Sequence, residues 1–132
     1  AWKLGEGRGA AVLSLGPLAS EVAKAAAALE AEGYSVAHYD MTFLKPLDEA
    51  LLKRLADAGT PLVTVEDGTL NGGLGSAVAE WLADKGYSQI RLRRLGLPDR
   101  FVPQGTPEEL YRMCGLDAAS IAEAIKRHID RK

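Results

Sequence analysis

Short apolar runs alternate along this chain with longer segments whose apolar residues recur every three to four positions. Runs of the first kind are typical of buried β-strands, and segments of the second kind are typical of amphipathic helices. Gly33 and Gly86 each follow a helical segment and predict its end. The predicted strands are residues 11–15, 35–40, 62–65 and 90–95, and helices are centred on Leu18 to Leu29, Leu51 to Leu55, Leu74 to Leu82 and Ile121 to Ile129.

Polar residues predict where several of these helices begin. Asp48 and Asp117 each stand just before a helical segment, where a carboxylate can accept hydrogen bonds from free backbone N–H groups. The run 106–109, Thr-Pro-Glu-Glu, has the form of a capping box, with Pro107 at the first helical position.

The alternation of strands and helices predicts an α/β fold. Right-handed crossovers make the strands parallel and place helices on both faces of the sheet. Residues 2–4 add an edge strand, which gives a three-layer α/β/α domain with a mostly parallel, five-stranded mixed sheet. We expect a single domain over residues 1–132 and, since the chain starts at Ala1 without methionine, a fragment of a longer enzyme.

The amino-acid composition disfavours several classes of function, among them binding to nucleic acid and to membranes. The 132 residues include 47% hydrophobic and 26% charged residues, and the net charge is −2. No overall positive field favours nucleic acid or a membrane surface. Cys114 is the single cysteine, which excludes an intrachain disulfide and fits a reducing compartment. We expect Cys114 to be a small, buried apolar residue.

The most informative segment joins the third core strand to the next helix. Two acids, Glu66 and Asp67, are followed by the glycine-rich run 71–76, Asn-Gly-Gly-Leu-Gly-Ser. In an α/β sheet this places carboxylates and free backbone N–H groups at the carboxyl end of a strand, where ligands bind. The run matches neither nucleotide fingerprint, because Val78 occupies the third glycine position and no lysine follows Gly75. Close packing of the helix on the strand is therefore favoured.

The sequence does not supply a recognisable set of catalytic residues. Glu66 and Asp67 are adjacent on a strand and point to opposite faces, so a shared metal is disfavoured. Hydrogen bonds from these acids to the glycine turn or to a partner chain are favoured instead. His38 shares a strand face with Val36 and Asp40, but no set of carboxylate, histidine and nucleophile can be assembled from the sequence.

Two further features have ordinary structural interpretations. The basic residues Arg91, Arg93, Arg94 and Arg100 are not interleaved with aromatic residues, so single-stranded nucleic-acid binding is disfavoured. Charges that guard the edge of the sheet are the favoured explanation. Trp81 falls on an apolar helical face, which predicts a place in the core.

Motifs at residues 43–48, 63–68, 72–76, 97–101 and 110–117 follow one another along the chain. Their order resembles the C-terminal domain of the 1-deoxy-D-xylulose-5-phosphate synthases. A Glu followed by Gly-Gly-x-Gly-Ser is shared across transketolase-like enzymes, including the β subunits of 2-oxoacid dehydrogenases. The Lys-Pro-Leu-Asp and Leu-Pro-Asp-x-Phe elements favour the synthases. The resemblance covers essentially the whole chain and rests on residues 43–48, 63–68, 72–76, 97–101 and 110–117.

The resemblance implies a bacterial cytoplasmic or plastid transferase that condenses pyruvate with glyceraldehyde 3-phosphate, with loss of CO2, to feed isoprenoid and thiamine synthesis. The parent enzyme uses thiamine diphosphate and Mg²⁺, which the preceding domains bind. No catalytic, cofactor-binding or metal residue is then expected in this chain, which would support a homodimer and contact the catalytic domains of the same polypeptide.

The glycine turn is the expected contact surface under this hypothesis. Two alternatives stay open, a regulatory module that binds an anion or nucleotide at the same turn, and the matching domain of a 2-oxoacid dehydrogenase β subunit. Partners in the form of nucleic acid or membrane are not expected. The candidate residues are Glu66, Asp67, Asn71, Gly72, Gly73, Gly75 and Ser76.

Overall fold

The structure, a computed structural model, describes residues 2–5, 9–41, 47–69, 73–97 and 107–130. Strands and helices alternate through most of this length, as the periodicity predicts, and two helices close the chain. The elements are β1 (Trp2–Gly5), β2 (Ala10–Leu15), α1 (Ala19–Ala31), β3 (Val36–Asp40), α2 (Glu49–Asp57), β4 (Leu62–Thr69), α3 (Leu74–Asp84), β5 (Leu92–Leu97), α4 (Pro107–Met113) and α5 (Ala118–Asp130).

The strands form one five-stranded sheet in the order β1-β3-β2-β4-β5. Strands β3, β2, β4 and β5 run parallel, and β1 pairs antiparallel with β3 at one edge. Strand β1 is thus the predicted edge strand. The predicted α/β class and the mostly parallel mixed sheet are confirmed.

Helices cover both faces of the sheet, so two apolar layers form the core. One layer packs α2 and α3 against the sheet through residues such as Leu52, Leu74 and Val78. The other packs α1 and α5 through residues such as Leu29 and Ile125. This is the three-layer arrangement that the alternation predicts.

Local chemistry explains several element boundaries. Asp48 Oδ1 accepts the Leu51 N–H at 3.1 Å and caps α2 as predicted. Gly33, with a φ of 92°, follows α1, because glycine adopts this left-handed conformation without a steric cost. Strand β5 begins at Leu92 rather than at the predicted Ile90, because the Ile90 N–H donates to the Tyr87 carbonyl in a turn. The predicted cap Thr106 lies outside the described residues.

Candidate functional site

The topology creates a crevice between β2 and β4 at the carboxyl edge of the sheet. From β2 the chain crosses one way to β3 and then back over β2 to β4. Helix α1, which follows β2, lies on one face of the sheet, and α3, which follows β4, lies on the other. Ligands of open α/β sheets bind at such a switch point.

Glu66 stands at this crevice and binds the start of α3. It pairs in register with Leu15, the last residue of β2, and is 3% exposed. The Leu74 N–H donates to Glu66 Oε1 at 2.8 Å, and the Gly75 N–H donates to Oε2 at 2.8 Å. Both carboxylate oxygens are therefore engaged by the first turn of the helix.

This contact substitutes for an ordinary N-cap. Gly73 is the N-cap residue of α3 and has no side chain that could accept a hydrogen bond. A carboxylate at this end of a helix satisfies free N–H groups and interacts favourably with the helix dipole. Glu66 thus occupies the position that a phosphate would take in a glycine-rich anion site.

Gly75 allows the helix to approach the sheet closely. A Cβ atom at this position would lie 2.8 Å from Arg94 Cδ and 2.9 Å from Thr64 Oγ1. Thr64 and Arg94 are register partners on β4 and β5, so the first turn of α3 packs directly over both strands. The close packing of helix on strand that the sequence favours is present here.

The predicted turn is described in part. The structure brings Glu66 together with the first turn of α3, where Gly75 is buried and Ser76 is half-buried. The backbone of Asp67 lies within β4. The positions of the Asp67 side chain and of Asn71 and Gly72 lie outside the described residues.

Sequence reasoning missed a buried polar pair on neighbouring strands. Ser14 Oγ and His38 Nε2 are hydrogen-bonded at 2.8 Å, and the two residues are 0% and 2% exposed. Burial lowers the pKa of the His38 imidazole from its ordinary value of 6.5, and the Asp40 carboxylate opposes this shift. Since Ser14 is fully enclosed, the pair is placed to join β2 to β3 rather than to attack a substrate.

Two arginines of the basic cluster, Arg93 and Arg94, lie on an edge strand, as the favoured explanation requires. Strand β5 ends the sheet, and Arg93 and Arg94 are exposed on it. Arg91 is half-buried just before the strand. Arg100 lies outside the described residues.

Trp81 and Cys114 have the structural surroundings of packing residues. Trp81 is 9% exposed, stacks on Tyr87 with ring centroids 5.5 Å apart and donates from Nε1 to Glu49 Oε1 at 2.9 Å. Cys114 is half-buried, less enclosed than predicted, and packs against the α1 and α5 layer.

Comparison with known proteins places this geometry in a family. The family model described as "Transketolase, C-terminal domain" matches residues 1–121. The chain belongs to this family. The domain is 36% identical to a solved "Split gene transketolase, inactive beta4 tetramer", with a TM-score of 0.86 over 96% of this chain and 41% of that one.

Curated relatives confirm the motif resemblance. The domain is 48% identical over 125 residues to the 1-deoxy-D-xylulose-5-phosphate synthase of Parabacteroides distasonis, covering 95% of this chain and 20% of that protein. It is 49% identical over 118 residues to the synthase of Porphyromonas gingivalis, covering 89% of this chain and 18% of that protein. The domain therefore spans about a fifth of the length of these relatives.

Within the described part of the domain, no three side chains among histidine, cysteine, aspartate and glutamate are grouped to hold a metal ion. Glu66, the buried acid of the crevice, has both oxygens on α3. Across the same residues, every helix is too short or too polar to cross a membrane.

Proposed function

We propose that residues 1–132 form the C-terminal domain of a 1-deoxy-D-xylulose-5-phosphate synthase. The parent enzyme condenses pyruvate with glyceraldehyde 3-phosphate and releases CO2. The observation that carries this proposal is 48% identity over 95% of the chain to a synthase of which the chain covers a fifth. The bacterial relatives support a bacterial cytoplasmic enzyme.

In this proposal the domain is structural within the enzyme and is inactive alone. Thiamine diphosphate and Mg²⁺ belong to the preceding domains of the same polypeptide. One observation supports this division: both oxygens of the Glu66 carboxylate are bound by the first turn of α3.

The turn between β4 and α3 is the proposed contact surface toward the catalytic domains of a homodimer. Its position at the switch point places the turn at the edge of the sheet where open α/β folds build their binding sites. Glu66 already supplies negative charge at the helix start, which disfavours an anion or nucleotide at the same N–H groups. The domain-contact function is therefore preferred over regulatory anion binding.

Gly73→Val in the full-length enzyme tests the contact surface. Gly73 has φ −94° and ψ −160°, an extended conformation open to any residue, so valine adds bulk without backbone strain. We expect weaker dimerisation, measured as molecular mass against concentration, and at least about tenfold lower synthase activity, because a 1.4 kcal/mol loss of contact energy is a factor of ten.

Ala83→Val is the matched control, because Ala83 is exposed near the other end of the same helix. The control should retain the dimer and the activity. Unchanged mass and activity in Gly73→Val would remove the contact surface from the proposal. Recovery of the residues upstream of Ala1 separately tests whether the parent is a synthase or a 2-oxoacid dehydrogenase subunit.

A further inference from the structure

Strand β5 has a free edge in the described part of the fold. It pairs with β4 on one side and is the last strand of the sheet. The outer edge of such a strand presents backbone N–H and C=O groups that an extended segment can bind as an additional strand.

Two exposed arginines flank this edge from opposite faces. Arg93 and Arg94 are adjacent, so their side chains lie on opposite faces of the sheet. Arg93 lines the side that packs on α5, and the stem of Arg94 lies over Gly75 of α3. Within the described residues, the guanidinium groups of Arg93 and Arg94 make no hydrogen bond or ion pair. Each can therefore pair with a carboxylate on its own face.

A groove continues this basic surface between β5 and α5. It has a volume of about 400 Å³, an apolar wall that includes Leu95, and basic residues Arg93 and Arg127 at its rim. Glu123 is the acid in its described lining, and it already binds Arg127 at 3.1 Å. The edge is thus locally positive in a chain whose net charge is −2.

We propose that an acidic extended segment from the part of the enzyme outside this chain adds to β5 as a sixth strand. This inference rests on the proposed function, since the related synthases have about four-fifths of their length outside the matching region. Directly opposed residues on one sheet face have Cβ atoms about 5 Å apart. The segment therefore carries two consecutive acids, one for Arg93 and one for Arg94.

A second copy of β5 is a disfavoured partner for this edge. Pairing of two such strands in a register centred on the arginines would place arginines near arginines on both faces, and like charges directly opposed are destabilising. The arginines thus disfavour self-association, which is the usual function of edge charges, and still favour an acidic partner.

Cross-linking of the full-length polypeptide identifies the partner. Arg93→Lys keeps the charge and introduces an amine that a carbodiimide couples to a neighbouring carboxylate. We expect the amine at position 93 to link to an aspartate or glutamate outside residues 1–132. Mixing isotopically labelled with unlabelled enzyme distinguishes links within one polypeptide from links between two copies. Lys85, exposed after the end of α3, is the internal control and should give no such link. Links confined to Glu123, or to β5 of a second copy, would overturn the proposal.

Amide hydrogen exchange in the same polypeptide gives a readout independent of synthase activity. The double variant Arg93→Glu, Arg94→Glu should exchange the amide hydrogens of Leu92–Leu97 at least tenfold faster. Unchanged exchange in β2 would show that the fold of the variant is intact. Lys24→Glu with Lys85→Glu makes the same change in net charge away from β5 and should leave β5 protected. Equal exchange in the two double variants would show that the edge has no partner. Neither cross-linking nor hydrogen exchange depends on synthase activity. A negative result in these two measurements therefore contradicts the sixth strand without contradicting the assignment of the parent enzyme as a synthase.

Discussion

At the residue scale, Glu66 combines nearly complete burial with hydrogen bonding at both oxygens. A buried carboxylate is costly unless its charge is compensated. Here the compensation comes from two backbone N–H groups at 2.8 Å and from the positive end of the α3 dipole. The acid thereby fixes where α3 starts relative to β4, which a glycine N-cap alone does not do.

Glu66→Gln should lower the free energy of unfolding by about 1–3 kcal/mol, the range for a buried donor left without its acceptor. The amide has one acceptor oxygen, so its NH2 group would face one of the two helix N–H groups. Urea unfolding with an unchanged m-value measures the loss. Glu80→Gln, at an exposed position of the same helix, should cost less than about 0.5 kcal/mol. Equal midpoints for the two variants would contradict the capping role.

At the element scale, α3 lies so close to the sheet that only glycine fits at one contact. Thr64 and Arg94 on neighbouring strands meet the helix at Gly75. The buried Thr64 Oγ1 has no hydrogen-bond partner in the described structure. The packing of this turn therefore depends on the absence of a side chain at Gly75.

Gly75→Ala should destabilise the fold although alanine is the better helix former by about 1 kcal/mol. The added methyl would lie within 3 Å of Thr64 Oγ1 and of the Arg94 stem, and overpacking of this kind costs about 1–3 kcal/mol. We expect a net loss of up to about 2 kcal/mol in urea unfolding. Thr64→Ala removes the less mobile of the two neighbours, so the double variant should lose less than the sum of the single losses. If the loss in the double variant equals the sum of the single losses, the contact between position 75 and Thr64 is not the source of the strain.

The elements themselves could be predicted because each has a local signal. Asp48 caps α2 as its position before an apolar helical segment predicts. The glycine-rich turn predicts close packing of helix on strand, because it follows a strand and opens a helix, and the structure places that contact at Gly75. Composition predicts a start of β5 at Ile90, two residues early, because the Ile90 N–H is used in a turn.

Other features depend on strand order, which local patterns do not encode. Ser14 and His38 are 24 positions apart and meet only because β2 and β3 are neighbours in register. The function of Arg93 and Arg94 likewise depends on β5 being the last strand of the sheet. The family, by contrast, was predictable, because its motifs are contiguous in sequence.

At the scale of the whole molecule, the pair of Ser14 and His38 couples the central strands to pH. The unfolded chain binds a proton at His38 near pH 6.5, whereas burial lowers the pKa in the fold. Between those two values the unfolded state binds more protons, so stability rises with pH. The effect is absent above the unfolded pKa and develops as the pH falls through 6.5.

Asp48 and Asp117 change charge below this window. A hydrogen bond from the Leu51 N–H lowers the pKa of Asp48, and a hydrogen bond from Ser120 lowers that of Asp117, each from an ordinary value of 3.8. The stability contributed by these acids is present above that value and is lost only as the pH falls through their lower folded pKa values. A titration between pH 5 and 7.5 therefore avoids the range in which these two acids change charge.

Unfolding by urea should show stability falling as the pH is lowered from 7.5 to 5, by at most about 1.4 kcal/mol per pH unit for one proton. His38→Gln keeps a polar group near the Ser14 hydroxyl and removes the titrating ring. The difference in the free energy of unfolding between the two proteins should therefore shrink toward low pH. Only the protein with His38 is destabilised there, because its buried imidazole binds fewer protons in the folded state than in the unfolded state. This comparison also cancels any contribution of His128. Parallel stability curves for the two proteins would show that His38 is protonated equally in the folded and unfolded states, and that the buried pair does not link the sheet to pH.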